Sequence, residues 1–215
     1  LTKQITTAGG RKLAYSRLVL SPGIEFDTIP GLETDAAKAA IPHAWKAGTQ
    51  TTTLRDQIKA MPAGGVFVLT IPAAPYRCPP GPYERACVVA DYLKRKQRIG
   101  AKVIVLDAND KIQAEPEAFT HAFNVTQAGS IEYYPNATVQ SVNSTTRSIV
   151  TSVKTVNNAK VLNYIPNQKA GIIAAGLPLN SRTRSSRSGG GVFPSRRIEL
   201  NCHCRKKSWM MSSIW

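Results

Sequence analysis

Gly64-Gly65-Val66-Phe67-Val68-Leu69-Thr70-Ile71, then Tyr83 to Arg98, then Gly100-Ala101-Lys102-Val103-Ile104-Val105-Leu106-Asp107: this stretch decides the fold. A Gly-Gly turn opens into Val66–Ile71, an apolar run of strand length. Ala86, Val89, Ala90 and Leu93 then recur at helical spacing. Lys94-Arg95-Lys96 places cations where a helix dipole favours them, and Gly100 ends the pattern. Lys102–Asp107 is a second run apolar enough to be buried on both faces. Strand, helix, strand in that order predicts a βαβ unit with parallel strands and a right-handed crossover, and so an α/β fold.

In dinucleotide-binding folds the acid that holds a ribose stands where Asp107 closes the second strand. Such a fold also needs Gly-x-Gly-x-x-Gly after its first strand, so that backbone N–H groups meet a pyrophosphate. Here that loop reads Pro72-Ala-Ala-Pro-Tyr-Arg-Cys78-Pro-Pro-Gly-Pro-Tyr-Glu84. Pro75, Pro79, Pro80 and Pro82 remove N–H donors and stiffen the backbone. The topology is present without its phosphate cradle. What the loop carries instead is chemistry: Arg77, Cys78 and Glu84. For Cys78 the alternative is a small buried hydrophobe, and for Glu84 a first-turn charge that suits the helix dipole.

Upstream, Gly9-Gly10 marks a hairpin turn before Lys12-Leu-Ala-Tyr15. Leu18-Val-Leu20 is expected to be a buried strand stopping at Ser21-Pro22-Gly23, where glycine lets backbone approach a ligand. Asp35–Ala40 predicts a short helix broken at Ile41-Pro42, and Thr51–Met61 a longer one. Downstream, Ile131-Glu-Tyr-Tyr134 and Thr138–Val142 read as strands. Residues 147–161 predict strands around an Asn157-Asn158 turn, and Leu162-Asn-Tyr-Ile165 a strand that stops at Pro166.

The 215 residues carry a formal charge of +15, which taken whole points to an anionic partner. The excess is uneven. Residues 1–178 hold 20 basic and 12 acidic side chains, whereas 179–215 hold 8 against Glu199 alone. That Ser/Arg/Gly-rich segment has no helical or strand period and is expected to be a disordered or non-native tail; binding of nucleic acid through its charge is the alternative. No apolar run approaches the roughly 20 residues of a membrane span. Leu1-Thr-Lys-Gln4 lacks a start methionine and a signal-peptide core, and reads as a cut end. Cys202-His-Cys204 has neither haem-attachment nor zinc spacing. Cys87 reads as core, and His43 and His121 as surface or satisfied core.

Several motifs come together in one order: strand to Ser21-Pro-Gly23, Ala44-Trp-Lys-Ala-Gly-Thr-Gln-Thr51, Pro75-Tyr-Arg-Cys-Pro-Pro-Gly-Pro-Tyr-Glu-Arg85, Val103–Asp107 and Asn163-Tyr-Ile-Pro166. In that order they resemble the flavoprotein subunit of flavocytochrome c sulfide dehydrogenase, a relative of sulfide:quinone oxidoreductases and disulfide reductases. The resemblance runs from Leu1 to about Leu177. It implies part of a flavoprotein with two dinucleotide-binding domains. Residues 1–34 and 148–178 would belong to a partial FAD-binding domain, 35–63 to a helical connector, and 64–147 to a largely complete nucleotide-binding-like domain that takes no nicotinamide. The 179–215 tail is unlike the family, as a shifted reading frame would produce.

By the same resemblance Cys78 is half of a redox-active disulfide beside FAD, its partner being in a Gly-Trp-Cys-Pro segment that is absent here. Glu84 would be the acid or base, and Pro22, Gly23, Trp45, Lys46 and Pro166 would line the FAD site. For Trp45 the alternative is simple core packing. The implied activity is oxidation of sulfide, with electrons passed through FAD to a c-type cytochrome in the periplasm. The flavin fingerprint glycines and the partner segment lie outside these residues, so the chain alone is expected to hold no stoichiometric FAD and to be inactive. A sulfide:quinone or NADH-type flavoprotein is the alternative enzyme.

Overall fold

The computed structural model describes residues 3–19, 21 and 23–171. Pro22, the basic segment and Cys202-His203-Cys204 lie outside the described residues. The described chain divides into two units, residues 3–25 with 170–171, and residues 26–169.

In the first unit β1 (Gln4–Thr6) and β2 (Lys12–Ala14) form an antiparallel hairpin, Gln4 facing Ala14. Gly10, at φ +80°, supplies the left-handed turn that the Gly9-Gly10 pair predicts. The strand expected at Leu18-Val19 does not form, and Val19 is 87% exposed. It falls beyond the turn instead, at β3 (Ile24–Phe26), which pairs with β11 (Gln168–Ala170). A short apolar run becomes a strand only where a partner takes its N–H and C=O groups. Here the Gly171 N–H donates to the Gly23 carbonyl at 3.2 Å, and the Asp27 N–H to the Asn167 carbonyl at 3.0 Å.

The second unit is built on a parallel sheet of four strands in the order β10 (Val161–Asn163), β4 (Val66–Ile71), β5 (Lys102–Asp107), β6 (Ile131–Tyr134). β4 and β5 run in register from Val66 opposite Lys102 to Ile71 opposite Asp107. Both are buried beyond their first residue, which is why they read as unbroken apolar runs. α3 (Gly81–Arg95) joins them. It starts before the apolar stripe because Pro82 suits a first turn that needs no N–H. It ends before Gly100 because Gln97 turns left-handed at φ +53°.

α1 (Asp35–Ala40) matches its expected span, capped by the Thr34 hydroxyl, which accepts from the Ala37 N–H at 3.1 Å. α2 (Thr49–Lys59) buries Leu54 and Ile58. Between β5 and β6, α4 (Pro116–His121) runs into a π-helical turn over Ala122–Thr126. The antiparallel strands β7 (Val139–Asn143), β8 (Ser148–Thr151) and β9 (Thr155–Val156) follow. The turn between β8 and β9 lies at 152–154 rather than at Asn157-Asn158. Thr151 Oγ1 closes it, donating to the Lys154 carbonyl at 2.8 Å and accepting its N–H at 3.0 Å. Asn158, at φ +54°, serves the later bend toward β10. Val68, Ile104, Leu106 and Leu162 of the sheet share one core with Leu32, Ile41, Val142 and Ile149.

The chain leaves β4 toward β5 on one side, while β10 arrives on the other. Between β4 and β10 the strand order reverses, and open α/β sheets bind ligands beyond the carboxyl ends of the strands at such a point.

Candidate functional site

The loop from Pro72 to Pro80 leaves β4 at this reversal point and is held from both sides. From the β5 side, Asn109 Oδ1 accepts the Ala74 N–H at 2.9 Å, and Asn109 Nδ2 donates to the Pro72 carbonyl at 3.0 Å. From the β10 side, Asn167 Oδ1 accepts the Ala73 N–H at 3.2 Å and Gln168 Oε1 the Arg77 N–H at 2.8 Å. Below, the Ile165 N–H donates to Thr70 Oγ1 of β4 at 2.8 Å, which ties the start of the Ile165-Pro166 exit to the sheet. Side chains thus replace the N–H pairing that the prolines cannot make.

Cys78 sits half-buried at the end of this loop at φ +60°, a left-handed conformation that costs a non-glycine residue about 1 kcal/mol. Its carbonyl accepts the Gly81 N–H at 3.0 Å, leading into α3. A Cβ on Gly81 would lie 3.2 Å from Cys78 Sγ and 2.9 Å from Trp45 Cη2, so the sulfur and the indole edge close on the same bare Cα. Neither Cys78 nor Cys87 is in a disulfide among the described residues.

Trp45 is 1% exposed and locked to the same loop. Its Nε1 donates to the Arg77 carbonyl at 3.3 Å, and Arg77 Nη2 returns a bond to the Trp45 carbonyl at 2.7 Å. The Arg85 guanidinium lies 4.9 Å over its ring. The indole is therefore packed against the loop that carries Cys78. Lys46 is half-buried over the Phe26 ring at 5.4 Å. Pro166 is buried three residues past the end of β10, and Gly23, in the other unit, has φ +77° with open space where a Cβ would be.

Glu84 is exposed in the first turn of α3, where a negative charge favours the helix dipole. Burial first, and the Glu84 charge second, push the Cys87 thiol up to about 11. His43 is held down to about 4 by burial, with Lys46 and Arg85 adding to the effect. It is thus a neutral acceptor, its Nδ1 taking the Trp45 N–H at 2.9 Å. His121 is exposed.

Asp107 is wholly buried and fully engaged. Its Oδ2 accepts from the Tyr83 hydroxyl at 2.7 Å and the Tyr133 hydroxyl at 2.9 Å. Its Oδ1 accepts from the Asn109 N–H at 2.9 Å and Nδ2 at 2.7 Å. Burial and this carboxylate raise both phenols far above the ordinary tyrosine range. The position that holds a ribose in dinucleotide folds is an internal brace here, with no lone pair to spare.

Sequence reasoning passed over Asn109, Asn163, Arg85 and Gln168. Gln168 Nε2 is buried with no partner among the described residues, while its Oε1 is committed to the Arg77 N–H. A lone buried donor costs about 1–3 kcal/mol unless an acceptor meets it. A cofactor with carbonyl and ring-nitrogen acceptors, such as a flavin, fits that donor beside the Cys78 loop. Residues 51–166 match the family model described as sulfide dehydrogenase (flavocytochrome c) flavoprotein chain, central.

Proposed function

The chain belongs to the flavoprotein subunits of flavocytochrome c sulfide dehydrogenase, and from that premise we propose that Cys78 is half of a redox disulfide through which sulfide is oxidised. The observation that carries the reading is the place of Cys78. It is a half-buried sulfur on a side-chain-clamped loop at the point where the parallel sheet reverses its strand order. A thiol kept only for packing needs no such clamp.

In the proposed reaction HS⁻ attacks the partner sulfur of the disulfide. An S–S bond forms to the sulfide, the original S–S bond breaks, and its electron pair stays on Cys78 as a thiolate. When bound, FAD would supply the two-electron acceptor that takes HS⁻ to S⁰ and H⁺, and the one-electron route onward to the haem of a c-type cytochrome. The clamped loop holds Cys78 in place through the cycle, and the disulfide re-forms as zero-valent sulfur departs. Glu84, exposed at the first turn of α3, is assigned to carrying protons between solvent and the site. Gln168 Nε2 would donate to an acceptor of the bound FAD. A periplasmic setting and assembly with the cytochrome belong to the same proposal.

Because this chain alone is expected to hold no stoichiometric FAD, the test is anaerobic mixing of sulfide with a flavin-loaded, longer subunit that contains these residues together with the partner-cysteine segment. The visible flavin band should bleach in the wild type and persist in Cys78→Ser at unchanged flavin content. Bleaching at the wild-type rate in Cys78→Ser would remove the disulfide from the mechanism.

A further inference from the structure

Arg85 is a half-buried cation whose hydrogen-bond acceptors are all neutral. Its Nη1 donates to the His43 carbonyl at 3.0 Å and Asn163 Oδ1 at 2.8 Å, and its Nη2 to the Ala44 carbonyl at 2.8 Å. None of the ion pairs among the described residues involves it. Neutral acceptors satisfy the N–H groups and leave the charge itself without a counter-ion in a partly desolvated place. The guanidinium covers one face of Trp45, whose edge meets Gly81 together with Cys78 Sγ. Gly81 and Arg85 are four residues apart on α3 and so share a face. Burial lowers the Arg85 pKa to about 10, and the charge of Cys78 acts in the opposite direction.

We propose that Arg85 is the positioning cation of Cys78, stabilising its sulfur as the thiolate that departs when the disulfide is opened. This rests on the disulfide reading above and adds to it the group that makes Cys78 the better leaving sulfur, since a stabilised thiolate leaves faster. The other ionisable groups around the sulfur do not supply that charge from within the fold. Tyr76, which donates to the Pro79 carbonyl at 3.2 Å, is pushed by burial up to about 12 and stays neutral. His43 is neutral above about pH 4, Arg77 is turned to the Trp45 carbonyl, Lys46 lies over Phe26, and Glu84 is exposed.

The test is the pH dependence of iodoacetamide alkylation, read on the Cys78 peptide by mass spectrometry in the full chain after reduction and desalting. Cys87 serves as a slow internal control because its thiol is pushed up to about 11. The wild-type Cys78 midpoint should lie at least about one pH unit below the ordinary cysteine value of about 8.5. Arg85→Gln should slow Cys78 alkylation at neutral pH about tenfold, whereas Arg85→Lys, which keeps the charge, should stay within about threefold of wild type. A wild-type midpoint at or above the ordinary value overturns the proposal, and so does a folded Arg85→Gln chain with an unchanged profile. Where Arg85→Gln does not fold, Arg85→Lys decides, because loss of the low midpoint with the charge retained also overturns it. Alkylation needs no turnover. Failure of sulfide to bleach the flavin with a normal Cys78 profile would sink the disulfide reading instead.

Discussion

His43 shows how one side chain ties the site to pH. Its Nδ1 accepts the Trp45 N–H, and its carbonyl accepts from both Arg85 and Asn163 Nδ2. With a folded pKa of about 4 against 6.5 unfolded, the unfolded chain binds the extra proton between those values. Stability is therefore complete above about pH 6.5 and is lost as pH falls toward 4. Discounted for the solvent screening of a half-buried ring, the loss by pH 5 is on the order of 1 kcal/mol. His43→Asn keeps an acceptor for the Trp45 N–H and should flatten that slope when urea unfolding is compared at pH 7 and pH 5. An undiminished slope would assign the loss to other groups. The candidate Cys78 was legible at this scale because its motif is local. The role of His43 was not, because a histidine's charge state depends on neighbours that sequence order does not bring together.

α3 is the element on which the site is hung. Its first turn gives the bare Cα of Gly81 to the Trp45 edge and the Cys78 sulfur, and its second gives Arg85. Gly81→Ala would gain helix propensity of about 1 kcal/mol, yet its Cβ would stand 2.9 Å from Trp45 Cη2 and 3.2 Å from Cys78 Sγ. Overpacking against a ring enclosed on all sides should win, for a net loss of about 1–2 kcal/mol. Thermal melting checks the stability, and a changed Cys78 alkylation rate should accompany it. A variant as stable as wild type would mean that the indole can give way. Elements with a complete local signal, α1, β4, β5 and β6, were readable in advance. The run at Leu18-Val19 failed because a strand is made by its partner as much as by its own apolar residues. α4 and its π-helical turn went unmarked because Phe119 and Phe123 are organised by the Tyr83 and Tyr133 rings, at centroid distances of 5.4 and 5.8 Å.

In the second unit as a whole, the parallel sheet is compatible with a nucleotide-binding-like domain, while the loop after β4 lacks the glycine cradle. The parallel sheet of four strands reverses its order between β4 and β10, but the loop there is short of N–H donors and Asp107 is committed to Tyr83, Tyr133 and Asn109. NADH should therefore not bind, and fluorescence titration should show no saturation into the millimolar range, weaker than about −4 kcal/mol. Saturable binding at micromolar NADH would show that the loop or the Asp107 brace opens.

From the sequence alone came the α/β class, the βαβ order, the missing phosphate cradle and the Cys78 motif. Each rests on short-range physics: the period with which apolar residues recur, the φ that glycine permits and the N–H that proline lacks. Only the tertiary structure decided that Asp107 is a brace, that Trp45 packs against the Cys78 loop, and that Arg85 lies over the Trp45 ring with neutral acceptors alone. Those outcomes depend on which buried polar groups find partners. The partners come from as far apart in the chain as Pro42 and Asn163, joined at 2.7 Å, which no local pattern encodes.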